Sequence, residues 1–225
     1  MAASKPTVHL QADHMSDYEI DDTSLSSSAY ASGSIAIKLP LPPGTFPTLW
    51  NNDAGFIKSY MERFPGYFDT GDAGTVDRDG FLSVMSRADD IINVAGHRLS
   101  TGTLEEVLSA MPEVAECAVV GTRDKLKGMR PFGFVVLKAG VLASEDQIVE
   151  QAIASIRQHV GAFACFDRCI VVPRVPKTRS GKVLRRVLRS IVNSDEYEVP
   201  ATIDDPSVLP EIAAIFASHY PSPAK

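Results

Sequence analysis

Residues 84–100 read Val-Met-Ser-Arg-Ala-Asp-Asp-Ile-Ile-Asn-Val-Ala-Gly-His-Arg-Leu-Ser, and the chain changes its pattern across them. Upstream, the signals are those of β-structure. Gly33-Ser-Ile-Ala-Ile-Lys-Leu39 alternates as a strand does and is ended by Pro40, Pro42 and Pro43. Residues 56–64 read as a short helix closed by Pro65-Gly66. Two β-type runs, Gly74–Arg78 and Phe81–Met85, flank Asp79-Gly80, a strong short-range hairpin signal. Downstream, helices and strands alternate. Thr103-x-x-Glu106 is a capping-box pattern opening a helix that Pro112 stops. Strands follow at about 114–121 and 132–138 by their apolar runs. Ser144-x-x-Gln147 opens a helix with Ile148, Ala152, Ile156 and Val160 four residues apart, and Gly161 ends it. A strand at about 168–173 and a helix at about 182–192 complete the order by the same reasoning. That last helix turns Leu184, Val187, Leu188 and Ile191 inward and Arg185, Arg186 and Arg189 outward. The order αββαβα predicts an α+β fold: a small domain with a sheet covered by helices, preceded by a β-rich segment.

The 225 residues suit one or two domains with a real core. Apolar content of 44% and charged content of 22% are globular values, and a net charge of −6 argues against generic nucleic-acid binding. Cys117, Cys165 and Cys169 sit among apolar neighbours and read as buried reduced thiols; the Cys165-x3-Cys169 spacing lacks a second ligand pair, so no bound metal is expected. No apolar run reaches the roughly 20 residues that span a bilayer. Residues 1–31 are polar and rich in Ser and Asp, reading as a mobile leader without the features of a secretory or transit peptide. An intracellular, cytoplasmic protein is the expectation for the chain as it stands, with a mitochondrial matrix location open to a full-length form.

Pro176-Lys-Thr-Arg-Ser-Gly-Lys182 precedes the basic helix. Alone, it reads as a flexible, donor-rich loop ending in one ammonium group at the start of the helix. Such a loop can offer a point charge to a phosphate or carboxylate, or it can be a solvated basic surface. Three upstream segments narrow that choice: Gly66-Tyr-Phe-Asp-Thr-Gly-Asp72, Arg87–Leu99 and Ile156-Arg-Gln-His-Val-Gly161.

In this order and spacing the four segments resemble the C-terminal third of acyl-adenylate-forming, AMP-binding enzymes. The phrases VMSRADDIINVAGHRLS, VAECAVVG, LKG and PKTRSGK look most like short-chain acyl-CoA synthetases of the propionyl-CoA and acetyl-CoA branches. The resemblance covers roughly residues 33–205. It implies four segments: a leader (1–31), a β-rich remnant of the large adenylation domain (32–88), a C-terminal lid domain (89–205) and a tail (206–225). The family's phosphate-gripping loop ending in Pro-Lys-Gly and its adenine-stacking aromatic-Gly-x-Thr-Glu segment do not occur in these residues.

The resemblance also implies roles. Lys182 is the catalytic lysine, Asp72 holds ribose hydroxyls, and Arg87 and Arg98 face the nucleotide. Asp89 is a hinge, Gly96 lines the pantetheine tunnel and Arg157 meets the 3′-phosphate of CoA. The residue before Thr70-Gly71-Asp72 is commonly basic in the family and is Asp69 here, which would add negative charge near the nucleotide. The substrates implied are a short-chain carboxylate, ATP with Mg2+, and CoA, used by the complete enzyme. This chain by itself is expected to be inactive. A non-catalytic nucleotide- or CoA-binding module docking on a separate large domain, and a truncated product without autonomous role, remain the alternatives. An orphaned remnant would expose Ile35, Ile37, Leu39, Phe46 and Trp50 and drive self-association or partner binding.

Overall fold

The computed structural model describes residues 8–11, 31–77 and 79–221. Most of the expected leader lies outside them; within it, Val8–Gln11 forms a strand, β1, that the sequence did not mark. The chain divides between Asp89 and Asp90 into two compact units.

The first unit is a four-stranded antiparallel sheet in the order β1-β2-β3-β4, with β2 at Ala31–Lys38, β3 at Tyr67–Val76 and β4 at Leu82–Arg87. The Asp79-Gly80 hairpin forms as read, pairing Val76 with Leu82, and Gly80 takes the positive φ of 83° that the turn requires. Helix α1, Asp53–Tyr60, starts three residues earlier than expected, because the side chain of Asn52 caps it by accepting from the Gly55 N–H at 2.9 Å. Its Phe56 and Tyr60 join Phe46 and Phe68 in an aromatic cluster with ring centroids 5.1–6.5 Å apart. The expectation of an exposed apolar face holds for Trp50, 94% exposed, and for Phe46 and Leu39. It fails for Ile35, which is buried, and for Ile37, which is partly covered.

The second unit is built on a mixed sheet. Strands β5 (Ile91–Val94), β6 (His97–Ser100), β7 (Val114–Asp124) and β8 (Gly128–Leu137) run antiparallel in the order β6-β5-β8-β7, and β9 (Cys169–Val171) pairs parallel with β8. Side chains alternate across a strand, and here both faces are covered. Val119, Val135 and Cys169 pack with helix α2 (Thr101–Ser109) and helix α3 (Glu145–His159). Ala118, Val120, Phe132, Phe134 and Ile170 face the other way, against helix α4 (Arg185–Asn193) and helix α5 (Val208–His219). Burial on both faces explains the unbroken apolar runs Cys-Ala-Val-Val and Phe-Gly-Phe-Val-Val. The α+β class and the sheet covered by helices stand.

Two local readings change and one holds. Helix α2 is capped by Ser100, whose hydroxyl accepts from the Gly102 N–H at 3.2 Å, and not by Thr103. The Ser144–Gln147 capping box of α3 forms as read. Residues 206–225 are not simply a tail, since α5 buries Val208, Leu209 and Ile212 in the second core.

Helix α5 is tied at its start by Arg174, which reaches Asp205, Ser207 and Glu211. The Asp205 carboxyl is lowered from 3.8 to about 2, chiefly by bonds from the Ser207 hydroxyl and N–H and then by Arg174. Because its folded value lies below the unfolded one, the stabilisation is complete above about pH 3.8 and fades as the pH falls through about 2. The thermal midpoint difference between the chain and its Asp205→Asn variant should therefore be constant near neutrality and shrink between those pH values. A difference that does not change down to pH 2 would count against this anchor.

Candidate functional site

The Pro176–Lys182 loop is not flexible in the way its composition predicts. Thr178 N–H donates to Lys182 O at 2.8 Å, Gly181 N–H to Thr178 O at 2.8 Å, and Lys182 N–H to the Thr178 hydroxyl at 3.1 Å. Gly181 supplies the positive φ of 83° that closes the turn. Lys177 bridges to Val183, and Thr178 to Ile203. Arg179 N–H donates to Thr202 O, and Asp204 N–H to Lys177 O, so a second stretch of backbone braces the loop. Helix α4 starts at Arg185, three residues beyond Lys182. Lys182 is thus at the end of a tied turn rather than on the helix. Its ammonium is exposed and has no partner among the described residues.

Gly96 and Arg98 belong to the β5–β6 hairpin. Asn93 closes its turn by accepting from the Gly96 N–H at 3.0 Å, and Ala95 and Gly96 both take positive φ, at 50° and 92°. A Cβ on Gly96 would meet nothing within 4 Å, so this backbone is open to close approach by a ligand. Arg98 is partly buried opposite Asn93. Between Gly96 and Arg98, His97 sets its ring 5.1 Å from Phe163, in the 3-10 turn Ala162–Ala164 that follows α3. Arg157, on the last turns of α3, is exposed and unpaired among the described residues. The hairpin and the end of α3 thus adjoin on the α2/α3 side of the sheet, whereas the Lys182 loop leads into α4 on the opposite side.

In the first unit, Asp72 and Arg87 are cross-strand partners, and their side chains pair at 3.3 Å. The same guanidinium nitrogen donates to Thr70 O at 3.2 Å. A Cβ on Gly71 would sit 2.5 Å from the Arg87 guanidinium, so the glycine makes room for this pair. Asp69 has different surroundings. It is buried, accepts from the Gly71 N–H at 2.8 Å and lies 3.6 Å from Arg63. Asp89 is exposed in the 3-10 turn Ala88–Asp90 that joins the two units.

All three cysteines are free. Burial pushes the Cys169 thiol up to about 12 and the Cys117 thiol upward, as inert core thiols require. Cys117 and Cys165 depart from the expectation of buried thiols, since both are only partly buried, and Cys165 lies 2.8 Å from the Lys127 ammonium. Among the described residues no three His, Cys, Asp or Glu side chains come together as a metal cage. The sequence reading also missed Glu105, which accepts both the Arg185 guanidinium and the Val119 N–H. Arg185 and Glu105 are 80 positions apart, and each alone looks like an ordinary helix charge.

Residues 103–182 match the AMP-binding enzyme C-terminal domain. The chain carries the C-terminal domain of the AMP-binding enzymes. It is 48% identical over 196 residues to a mouse protein named acyl-CoA synthetase short-chain family member 3, mitochondrial, covering 87% of this chain and 29% of the relative. It is 40% identical over 188 residues to acetyl-coenzyme A synthetase 1 of Kluyveromyces lactis, covering 80% of this chain and 26% of the relative. Among solved structures, ATP-bound MatB from Rhodopseudomonas palustris matches with a TM-score of 0.56 and 26% identity, over 71% of this chain and 30% of that one. The chain therefore spans less than a third of the length of these relatives, and it corresponds to a C-terminal part of an acyl-CoA synthetase.

Proposed function

We propose that the chain serves as the C-terminal part of a short-chain acyl-CoA ligase acting on propionate or acetate. The reaction is carboxylate plus ATP giving acyl-adenylate and pyrophosphate, then acyl-adenylate plus CoA giving acyl-CoA and AMP. The observation that carries this reading is the Lys182 ammonium: exposed, unpaired among the described residues, and set on a tied turn within a family-matching domain. Adenylation brings together two anions, the carboxylate and the α-phosphate. A cation held between them stabilises the charge that develops, and a preorganised one does so without the cost of ordering itself at that moment.

The remaining assignments follow the resemblance. Asp72, steadied by Arg87, accepts from the ribose hydroxyls, and Arg87 and Arg98 neutralise the nucleotide. The open Gly96 backbone lets pantetheine approach, and Arg157 meets the 3′-phosphate of CoA. Val183 and Leu184, which follow Lys182, pack with the α4/α5 core, whereas His97 beside Gly96 packs against Phe163 beyond α3, which supports different half-reactions for the two segments, with Asp89 as the hinge between them. ATP enters with Mg2+ as substrate, and the phosphate-gripping residues belong to the larger part that the relatives carry. Trp50, Ile57, Phe81 and Val84, all strongly exposed, supply an apolar surface for that part or for a second copy. The mitochondrial name of the mouse relative supports a matrix location for a full-length form.

Alone, the 225-residue chain is expected to release no pyrophosphate from ATP with acetate or propionate; carboxylate-dependent release above the enzyme-free blank would overturn this part of the reading. In an enzyme completed to the length of its relatives, Lys182→Ala should slow adenylation by about 10²–10³ while sparing thioester formation from supplied acyl-adenylate. Equal slowing of both half-reactions would make Lys182 a general binding residue instead. Asp89→Pro should show the opposite split, because proline fixes φ and blocks the swing without removing a catalytic charge. Single-turnover rates of the two half-reactions check both variants.

A further inference from the structure

We infer that Glu105 and Arg185 are positioning residues that set where Lys182 points, an inference that rests on the adenylation reading above. The tied loop stands on two feet. One is Lys177, whose ammonium meets Glu116 on β7 at 2.5 Å. The other is Arg185, whose guanidinium forks onto the Glu105 carboxylate, Nε to Oε1 at 3.0 Å and Nη2 to Oε2 at 2.6 Å. Backbone joins the feet, since Lys177 bridges Val183 and Leu184 N–H donates to Pro176 O at 2.9 Å.

The second foot is the more constrained. The Glu105 side chain is only 14% exposed and that of Arg185 31%. Oε1 of Glu105 also accepts the Val119 N–H at 2.8 Å. Val119 lies on β7, the last strand on that side of the sheet, and opposite Gly133, whose own N–H donates to Arg168 O on the far side of β8. One carboxylate therefore indexes helix α2, the edge of the sheet and the first turn of α4 to one another. Arg185 also has Asp90 within 4.0 Å, the residue next to the proposed hinge. Two parallel charged hydrogen bonds fix direction as well as distance, which a single lysine contact does not. Lys182 lies three residues before this fork, so a shift of the fork is carried to its ammonium. The Glu105 bond raises the Arg185 guanidinium above its ordinary value and outweighs burial, which opposes its charge.

Two substitutions separate positioning from general stability. Glu105→Gln keeps an oxygen for the Val119 N–H and removes the charge; Arg185→Lys keeps the charge and removes the fork. In the 225-residue chain, hydrogen exchange at the amides of Gly181 and Lys182 should speed up by about tenfold in both variants, while Val119 stays protected. In the completed enzyme, both variants should lower the adenylation rate by about tenfold at little change in carboxylate KM, and leave the thioester step intact. Arg185→Lys should retain more activity than Arg185→Ala. If Lys182→Ala collapses adenylation while Glu105→Gln and Arg185→Lys leave it unchanged, the positioning role is overturned and the functional reading stands. If Lys182→Ala itself leaves adenylation unchanged, both fall. Should Glu105→Gln fail to fold, Arg185→Lys alone decides, through the same split between the two half-reactions.

Discussion

Strands β7 and β8 bury side chains on both faces, and the second unit depends on that constraint. A strand offers its neighbours alternate residues, so a doubly buried strand divides the core in two. Val119 and Val135 belong to one half, and Ala118, Phe132 and Phe134 to the other. Each half needs its own helical cover, which assigns α2 and α3 to one side and α4 and α5 to the other. Without α5 the second half would lose Val208, Leu209 and Ile212, all nearly inaccessible to solvent. A helix at the end of the chain is thus part of the core and not an appendage.

The same division sorts the chemistry. The lysine turn precedes α4, whereas the Gly96 hairpin packs through His97 against Phe163 beyond α3.

The first unit works by local satisfaction. Aspartates at 69 and 72 are close in sequence but are separated by an irregular stretch of β3, where the register shifts and Gly71 takes a positive φ. One is spent on Gly71 and Arg63 within the fold, and the other is left with Arg87 at the surface. A buried carboxylate with an N–H donor and a nearby cation meets the usual requirement for a polar group removed from water.

The sequence by itself determined the hairpin at Asp79-Gly80, the capped helix after Ser144, the sheet-and-helix class of the second half and the family to which residues 103–182 belong. These are local or periodic signals, carried by residues within a few positions of one another. It also brought Asp72, Arg87 and Lys182 into view as chemistry-bearing residues, through short motifs. What the tertiary structure decided depends on contacts between distant positions. The cap of α2 shifted to Ser100 because β6 runs directly into the helix, leaving the residue at the junction to meet the first free N–H groups. Ile35 became buried because β2 lies between β1 and β3 in the sheet, and the terminal helix α5 became core because the far face of the second sheet required cover. The rigidity of the Lys182 turn, and the Glu105–Arg185 fork beside it, join segments 22 and 80 positions apart. No window of sequence contains both ends of such a bond, so only the folded chain could show that the lysine is held.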